Sequence, residues 1–376
     1  MTVIPEKFSG DLSSLWTLQE LEPLHHLTWD WWWWLLMLDD EEGKPAGRQL
    51  MVLWSTKDNP LVTINGHEWH PKGRPGFDEN GGIAMDGMVA AWWFDGEKMI
   101  EPLVLEESRI IVIAEDHPSW NGEKGGIVAT TTEKEFSMGL NPQEDKFWLK
   151  LQTEHGEFDF EMSPWNRAMS TMKKAQAEYG AGMGYGISRL HGALCQGEID
   201  GVKTQGTAYF QKVCVQAPSV PWFWGMLHFD DGSYLDWFVP HLSPTITARD
   251  AKPWQRRDLS HLAISQAGLF HDANSQKSER FAKVQIERTC SEQGLPIFHI
   301  RMWNGKCEIK LEAHAVSRAH WTFDQPTRGG LTSHLTYNEY PLDVKKIAII
   351  DKNGNRNRSD WTTIRGNAEH SWGLLH

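Results

Sequence analysis

Along most of this chain, short apolar and β-branched runs are cut at close intervals by turn signals. LVTI ends at Asn65-Gly66, AAWWF at Asp95-Gly96 and KKIAII at DKNG, with RIIVIA, FWLKLQTEHGEFDFEM and CEIKLEAHAV elsewhere in the same style. Asn-Gly and Asp-Gly between apolar runs are the strongest short-range hairpin signals a sequence carries. The pattern predicts a mainly antiparallel, all-β protein. One stretch breaks the alternation: Thr28 to Asp40 reads TWDWWWWLLMLDD, with tryptophan at every position from 29 to 34 except Asp30. A half-buried strand would be polar at every second position. Here both faces are apolar, so the segment is buried on both sides or lines something apolar.

One segment carries helix signals instead. In SPWNRAMSTMKKAQAEYG, Ser163 can cap, Pro164 suits the first turn and Gly180 suits the stop. Trp165, Met169, Met172, Gln176 and Tyr179 follow helical spacing. The glycine alternation GAGMGYG (180–186) follows this segment, whereas a dinucleotide fingerprint follows a strand, so it reads as a linker. A length of 376 residues exceeds what one compact core usually serves. The predicted organisation is an N-terminal β domain over 1–162, a helix and linker over 163–186, and a C-terminal β domain over 187–376.

The halves echo one another. WWWWLLMLDD (31–40) aligns with WFWGMLHFDD (222–231) at an offset of 191, matching Trp31 with Trp222, Trp33 with Trp224, Leu36 with Leu227 and Asp39-Asp40 with Asp230-Asp231. An offset of half the chain favours two β domains of related design.

Composition narrows the function classes. The chain has 40% hydrophobic and 23% charged residues, a globular balance, and 21 tryptophans. A net charge of −13, from 37 basic and 50 acidic residues, argues against nucleic acid or an anionic membrane surface as main partner. Cys195, Cys214, Cys290 and Cys307 form no CxxC pair, so free buried thiols are expected rather than a disulfide framework or zinc ribbon. MTVIPEKFSGDLSSLW lacks a basic segment followed by an apolar one, and no run approaches the roughly 20 apolar residues of a membrane helix. The expectation is a cytoplasmic protein.

The most informative segment is PWFWGMLHFDDGSYLDWFVP (221–240), a hairpin pattern. With a type I turn over Asp230-Asp231 and left-handed Gly232, Phe229 pairs with Ser233 and His228 faces Tyr234. Trp222, Trp224, Met226, His228, Tyr234, Asp236 and Phe238 then share a face; a two-residue turn would remove His228 from it. Such a face either lines a cavity for an apolar ligand or is the outer, solvated side. Burial raises a carboxylic acid's pKa, so an acid in a cavity can stay protonated near neutrality. It could protonate an alkene, with indole and phenol faces shielding the cation.

The run GTAYFQKVCVQAPSVPWFWGMLHFDDGSYLDWF (206–238) resembles the core signature of the carotenoid hydratase (hydroxyneurosporene synthase) and AttH-like family: a Gly-x-x-Tyr strand, a Trp-x-Trp strand, an Asp-Gly turn and a further strand. GNAEHSWG (366–373) echoes a segment near that family's C-terminus. The resemblance implies two lipocalin-like antiparallel β-barrel domains around a hydrophobic cavity, and chemistry on long isoprenoids. Tyr234 and Asp236 match a Tyr and Asp implicated in the hydratases. Lys212 and Cys214 stand where His and Trp of that pattern would follow Tyr209, a departure from the carotenoid hydratases themselves. Related lipocalin-like proteins include cyclases that work by folding a substrate in a shaped cavity.

The expected reading is therefore an enzyme that hydrates, isomerises or cyclises an apolar, isoprenoid-type substrate; the alternative is a non-catalytic carrier of such ligands. Asp236, Tyr234 and His228 are the candidate catalytic residues. Trp222, Trp224, Asp30, Trp32, Trp34, Tyr209 and Lys212 are the candidate substrate-binding residues. Asp30, if buried, is hydrogen-bonded or protonated, because an unpartnered buried carboxylate is costly. No metal or redox cofactor is implied: His67-Glu68-Trp69-His70 offers two ligands in a loop and no third. The expected partner is a hydrophobic small molecule, with peripheral membrane contact as a route for its uptake.

Overall fold

A computed structural model describes residues 27–40, 42, 47–71, 76–77, 83–113, 127–130, 135–141, 146–164, 169–171, 184–216, 220–242, 262–327, 329–352 and 354–375. The first half contains β1 (Thr28–Leu38), β2 (Arg48–Lys57), β3 (Val62–Ile64), β4 (His67–Trp69), β5 (Gly76–Phe77), β6 (Ile83–Phe94) and β7 (Met99–Ile113). It continues with β8 (Ile127–Thr130), β9 (Phe136–Asn141), β10 (Lys146–Thr153), β11 (Gly156–Pro164), β12 (Met169–Thr171), β13 (Gly184–Ile199) and β14 (Val202–Gln216). The second half contains β15 (Trp222–Phe229), β16 (Tyr234–Leu242), β17 (Leu262–Ala263), β18 (Ala267–Asp272), β19 (Lys277–Phe281) and β20 (Lys283–Cys290). It ends with β21 (Pro296–Trp303), β22 (Cys307–Ala315), β23 (Ala319–Pro326), β24 (Thr332–Asp351), β25 (Gly354–Asn357) and β26 (Ile364–Leu375). A 3-10 turn at Arg358–Asp360 is the one helical element among the described residues. No helix among them is long and apolar enough to cross a membrane, which says nothing of β-barrels.

The first sheet runs β11-β10-β9-β8-β7-β6-β2-β1-β14-β13, and β11 also pairs with β13, so the strands form a ring. The second runs β19-β18-β16-β15-β26-β24-β22-β21-β20. Its two ends are one bent strand, since only Ala282 separates β19 from β20. Both units are lipocalin-like antiparallel barrels. Each has one apolar cluster, to which strands all round its ring contribute, so the cluster marks the barrel interior.

Alternation fixes which side chains enter those cores. In β1 the inward set is Trp32, Trp34, Leu36 and Leu38; in β15 it is Phe223, Leu227 and Phe229. At the offset of 191 these positions coincide, so the two tryptophan-rich stretches present equivalent faces to their own barrels. β1 is also buried on its other face at Trp33, Leu35 and Met37, which explains why its sequence has no polar alternation. The last strand of the first unit is β14, and the second unit takes β15 onward together with the earlier stretches Thr63–His67 and Glu97–Met99, whereas the sequence pattern began the second domain at 187.

The helix expected over 163–179 is not formed where the chain is described. Ser163 and Pro164 close β11, and Met169–Thr171 is a strand paired with Ser188–Leu190 of β13. Pairing with β13 supplies the backbone hydrogen bonds that a helix would have made internally, and it overrides the local capping signals. Residues 165–168 and 172–183 lie outside the described set. His67-Glu68-Trp69 is a short strand, β4, rather than loop.

Candidate functional site

The hairpin of β15 and β16 forms with the three-residue turn. Phe229 N–H donates to Ser233 O at 3.0 Å, Gly232 N–H donates to Phe229 O at 3.0 Å, and Gly232 has φ +84°, where a side chain would be strained. Trp224 therefore pairs with Phe238, Met226 with Asp236 and His228 with Tyr234. All of these face away from the barrel core, which takes Phe223, Leu227, Leu235 and Trp237. The face is nevertheless buried: Trp224 is 5% exposed, His228 0%, Tyr234 3% and Asp236 7%. Trp222 is half-buried. Tyr234 stacks on His271 of β18, with ring centroids 5.2 Å apart and planes at 21°. The face is thus the outer one of its barrel, as one of the two expectations had it, but it is buried rather than solvated.

The neighbouring strands extend this surface with polar groups that sequence reasoning missed. Across β15, Trp224 pairs with Glu369, Met226 with Asn367 and His228 with Arg365; beyond β26, Glu369 pairs with Glu339. Glu369 and Glu339 are buried and lie opposite the core-facing Ala368 and Tyr340. Trp222 Nε1–H donates to Glu369 Oε2 at 2.7 Å. Tyr337 Oη lies 2.8 Å from Glu369 Oε1 and 2.5 Å from Glu339 Oε1. Burial and the two adjacent carboxyl groups push the Tyr337 phenol well above its ordinary value, so it is neutral at physiological pH. The signal available in sequence was GNAEHSWG, which contains Glu369, but nothing local connects it to a glutamate thirty residues upstream.

The other candidates lie in the N-terminal barrel. Asp30, Trp32, Trp34 and Lys212 all face its interior, and Lys212 Nζ lies 3.0 Å from Asp30 Oδ1, 4.3 Å from the centroid of the Trp32 ring and 3.3 Å from Cys214 Sγ. Burial lowers the Lys212 pKa, but the Asp30 carboxylate and Cys214 outweigh it and the value ends above the ordinary one. Burial pushes the Cys214 thiol up to about 12, so it is an unreactive thiol. Trp34 packs against Phe147 and Phe210, with centroids 5.4 and 4.7 Å away, as a core residue. Tyr209 points to the opposite face of β14, against Trp33 at 5.6 Å and His191 at 6.3 Å. The ten nominated residues thus divide between the C-terminal hairpin face and the N-terminal barrel, and Tyr209 shares a face with neither Lys212 nor Asp30.

Among the described residues no group of His, Cys, Asp and Glu is arranged to hold a metal ion. An open groove of about 920 Å³ crosses β20, β21 and β22 beside Arg301, Lys310, Glu312 and Lys346, away from the Asp236 face. Several of its charges are paired, as in Lys346–Glu312 at 2.8 Å and Arg301–Glu308 at 2.6 Å.

These two barrels place the chain in the lipocalin-like fold class. The crystal structure of CghA matches with a TM-score of 0.51 at 8% identity, covering 93% of this chain and 89% of that one. CghA with Sch210972 matches with a TM-score of 0.50 at 6% identity, over 92% and 88%. An AttH-like protein from Nitrosomonas europaea is more distant at a TM-score of 0.48, with 13% identity over 98% of both chains. Kievitone hydratase from Nectria haematococca gives 0.43, with 10% identity over 93% and 90%. No family model and no curated protein matches the sequence.

Proposed function

We propose that this protein is an enzyme that hydrates or cyclises an apolar, isoprenoid-type substrate by acid assistance on the buried face of β15 and β16. The observation that carries this reading is the hairpin register, which sets Asp236, Tyr234, His228 and Trp224 side by side on a face that is both buried and turned away from the barrel core. Asp236 gives the proton to an alkene carbon, Tyr234 and His228 orient it, and the Trp222 and Trp224 indoles shield the cation that forms. Water then captures the cation and gives up a proton to the Asp236 carboxylate, or an internal double bond captures it and the new cation loses a proton to that carboxylate. The resemblance of residues 206–238 to the carotenoid hydratase and AttH-like signature supports the same reading, and Lys212 and Cys214 separate it from hydration of carotenoids themselves.

The test is turnover of a panel of polyenes and prenyl alcohols by the wild type and Asp236→Asn, with affinity measured in the same samples. Asp236→Asn keeps shape and polarity but loses the transferable proton, so the rate is expected to fall by about 10²–10⁴-fold while affinity changes little. An unchanged rate would remove Asp236 from the mechanism. A wild type that binds the panel and converts none of it would make the protein a carrier.

A further inference from the structure

Tyr337 has one phenolic proton and two carboxyl oxygens within hydrogen-bonding distance, Glu339 Oε1 at 2.5 Å and Glu369 Oε1 at 2.8 Å. A phenol has one proton to donate, and sharing it between two carboxylates weakens both bonds. Two contacts this short are better satisfied when one carboxyl carries a proton and donates to the phenolic oxygen while the phenol donates to the other. The environment favours the same count. Glu339 and Glu369 are directly opposed on adjacent antiparallel strands, where side chains stand about 4.5–5.5 Å apart at Cβ and like charges repel. Both are buried, Glu339 completely. Two carboxylates in one desolvated site do not both ionise readily; they take up a proton as a pair. Trp222 Nε1–H donates to Glu369 Oε2, which favours the charge on Glu369 and the proton on Glu339.

We infer that Glu339 and Glu369 share one proton at neutral pH and, bridged by Tyr337, form a second acid on the face that carries Trp224 and Asp236. The assignment of that proton to catalysis rests on the proposed function; its presence does not. Glu369 is the cross-strand partner of Trp224 on one side, and Phe238, two residues from Asp236, is its partner on the other. A substrate lying over the Trp224 indole is therefore flanked by an acid on each side. In hydration, the O–H bond of the paired carboxyl breaks and its proton forms a C–H bond with one alkene carbon. Water bonds to the other carbon, and the proton it releases returns to the pair. The sum is addition of one water, with the pair restored.

Infrared spectroscopy without substrate tests this. The wild type at neutral pH is expected to show the C=O stretch of a neutral carboxyl that moves down in D₂O and persists in Asp236→Asn, so that it does not come from the other proposed acid. Glu339→Gln and Glu369→Gln should each lose it, because the remaining glutamate then accepts from Tyr337 as an ordinary carboxylate. Tyr337→Phe should shift the band by removing its bridging partner, which serves if either glutamine variant fails to fold. A wild-type spectrum without the band, a band lost in Asp236→Asn, or a band unchanged in all three of the Glu339, Glu369 and Tyr337 variants overturns the inference. Because the readout needs no turnover, a wild type that converts no substrate would sink the proposed function and leave the shared proton standing.

Discussion

Lys212 Nζ and Asp30 Oδ1 meet at 3.0 Å in the interior of the N-terminal barrel, joined across 182 residues of sequence by the pairing of β1 with β14. Their side chains are 1% and 5% exposed, so neither charge is offset by water. Removing one partner of a buried pair leaves an uncompensated charge, at a typical cost of about 3–5 kcal/mol. Asp30→Asn and Lys212→Met should each lower stability by that order in denaturant unfolding. The double variant should recover much of the loss, because a matched apolar and polar pair strands no charge. Additive losses would mean that the pair is not coupled.

Lys57 should show the opposite behaviour. Burial lowers its pKa from 10.5 to about 7, while its ammonium sits 4.1 Å from the centroid of the Trp29 ring. A lysine whose folded pKa is depressed binds fewer protons folded than unfolded between those two values, so its penalty on stability is full below about pH 7 and fades toward 10.5. Lys57→Met is thus expected to be more stable than the wild type at pH 6, with the difference closing as the pH rises. The indole contact favours the charged form and trims the gain to a few kcal/mol at most. Melting curves of both proteins from pH 6 to 10 measure it. A constant difference would show that desolvation of the amine is not the cause.

Gly225 is where the hairpin face depends on close packing beneath it. A Cβ there would lie 2.2 Å from Trp237 Cζ2 and 2.9 Å from the Asn367 carbonyl oxygen. Trp237 is a buried core residue with no room to move aside, so Gly225→Ala should cost about 1–3 kcal/mol through overpacking. Gly225→Ala combined with Trp237→Phe should recover part of it. Equal stability of Gly225→Ala and wild type would disprove the close contact.

Much of this site was legible from local patterns. The Asp230-Asp231-Gly232 turn set the register of β15 and β16, and period-two alternation then placed His228, Tyr234 and Asp236 together. Which side of the hairpin met the barrel core was not legible, because Phe223, Leu227 and Trp237 are as apolar as Trp224, Met226 and Phe238. Glu339 and Glu369 escaped notice because strand pairing between β24 and β26, not sequence spacing, makes them neighbours. The cap-like Ser163 and Pro164 misled for a related reason: β13 offers that segment a partner that no local signal announces.

The sequence nominated two groups of tryptophans as walls of a binding site, and the structure separates them. Trp32 and Trp34 belong to the filled interior of the N-terminal barrel, while Trp224 lies on the polar, buried face beside Glu369 and Asp236. A ligand bound at the proposed site should therefore contact Trp224 and not Trp34. Titrating the wild type with a long polyene or prenyl alcohol should lower tryptophan emission saturably. Trp224→Phe should lose a measurable share of that quenching and weaken affinity, since the smaller ring gives up contact area with the ligand. Trp34→Phe should lower stability by about 1–3 kcal/mol, through the void left between Phe147 and Phe210, while the titration keeps its midpoint. The reverse result, with affinity following Trp34 and indifferent to Trp224, would move the ligand into the N-terminal barrel, where Lys212 and Asp30 would be its polar contacts.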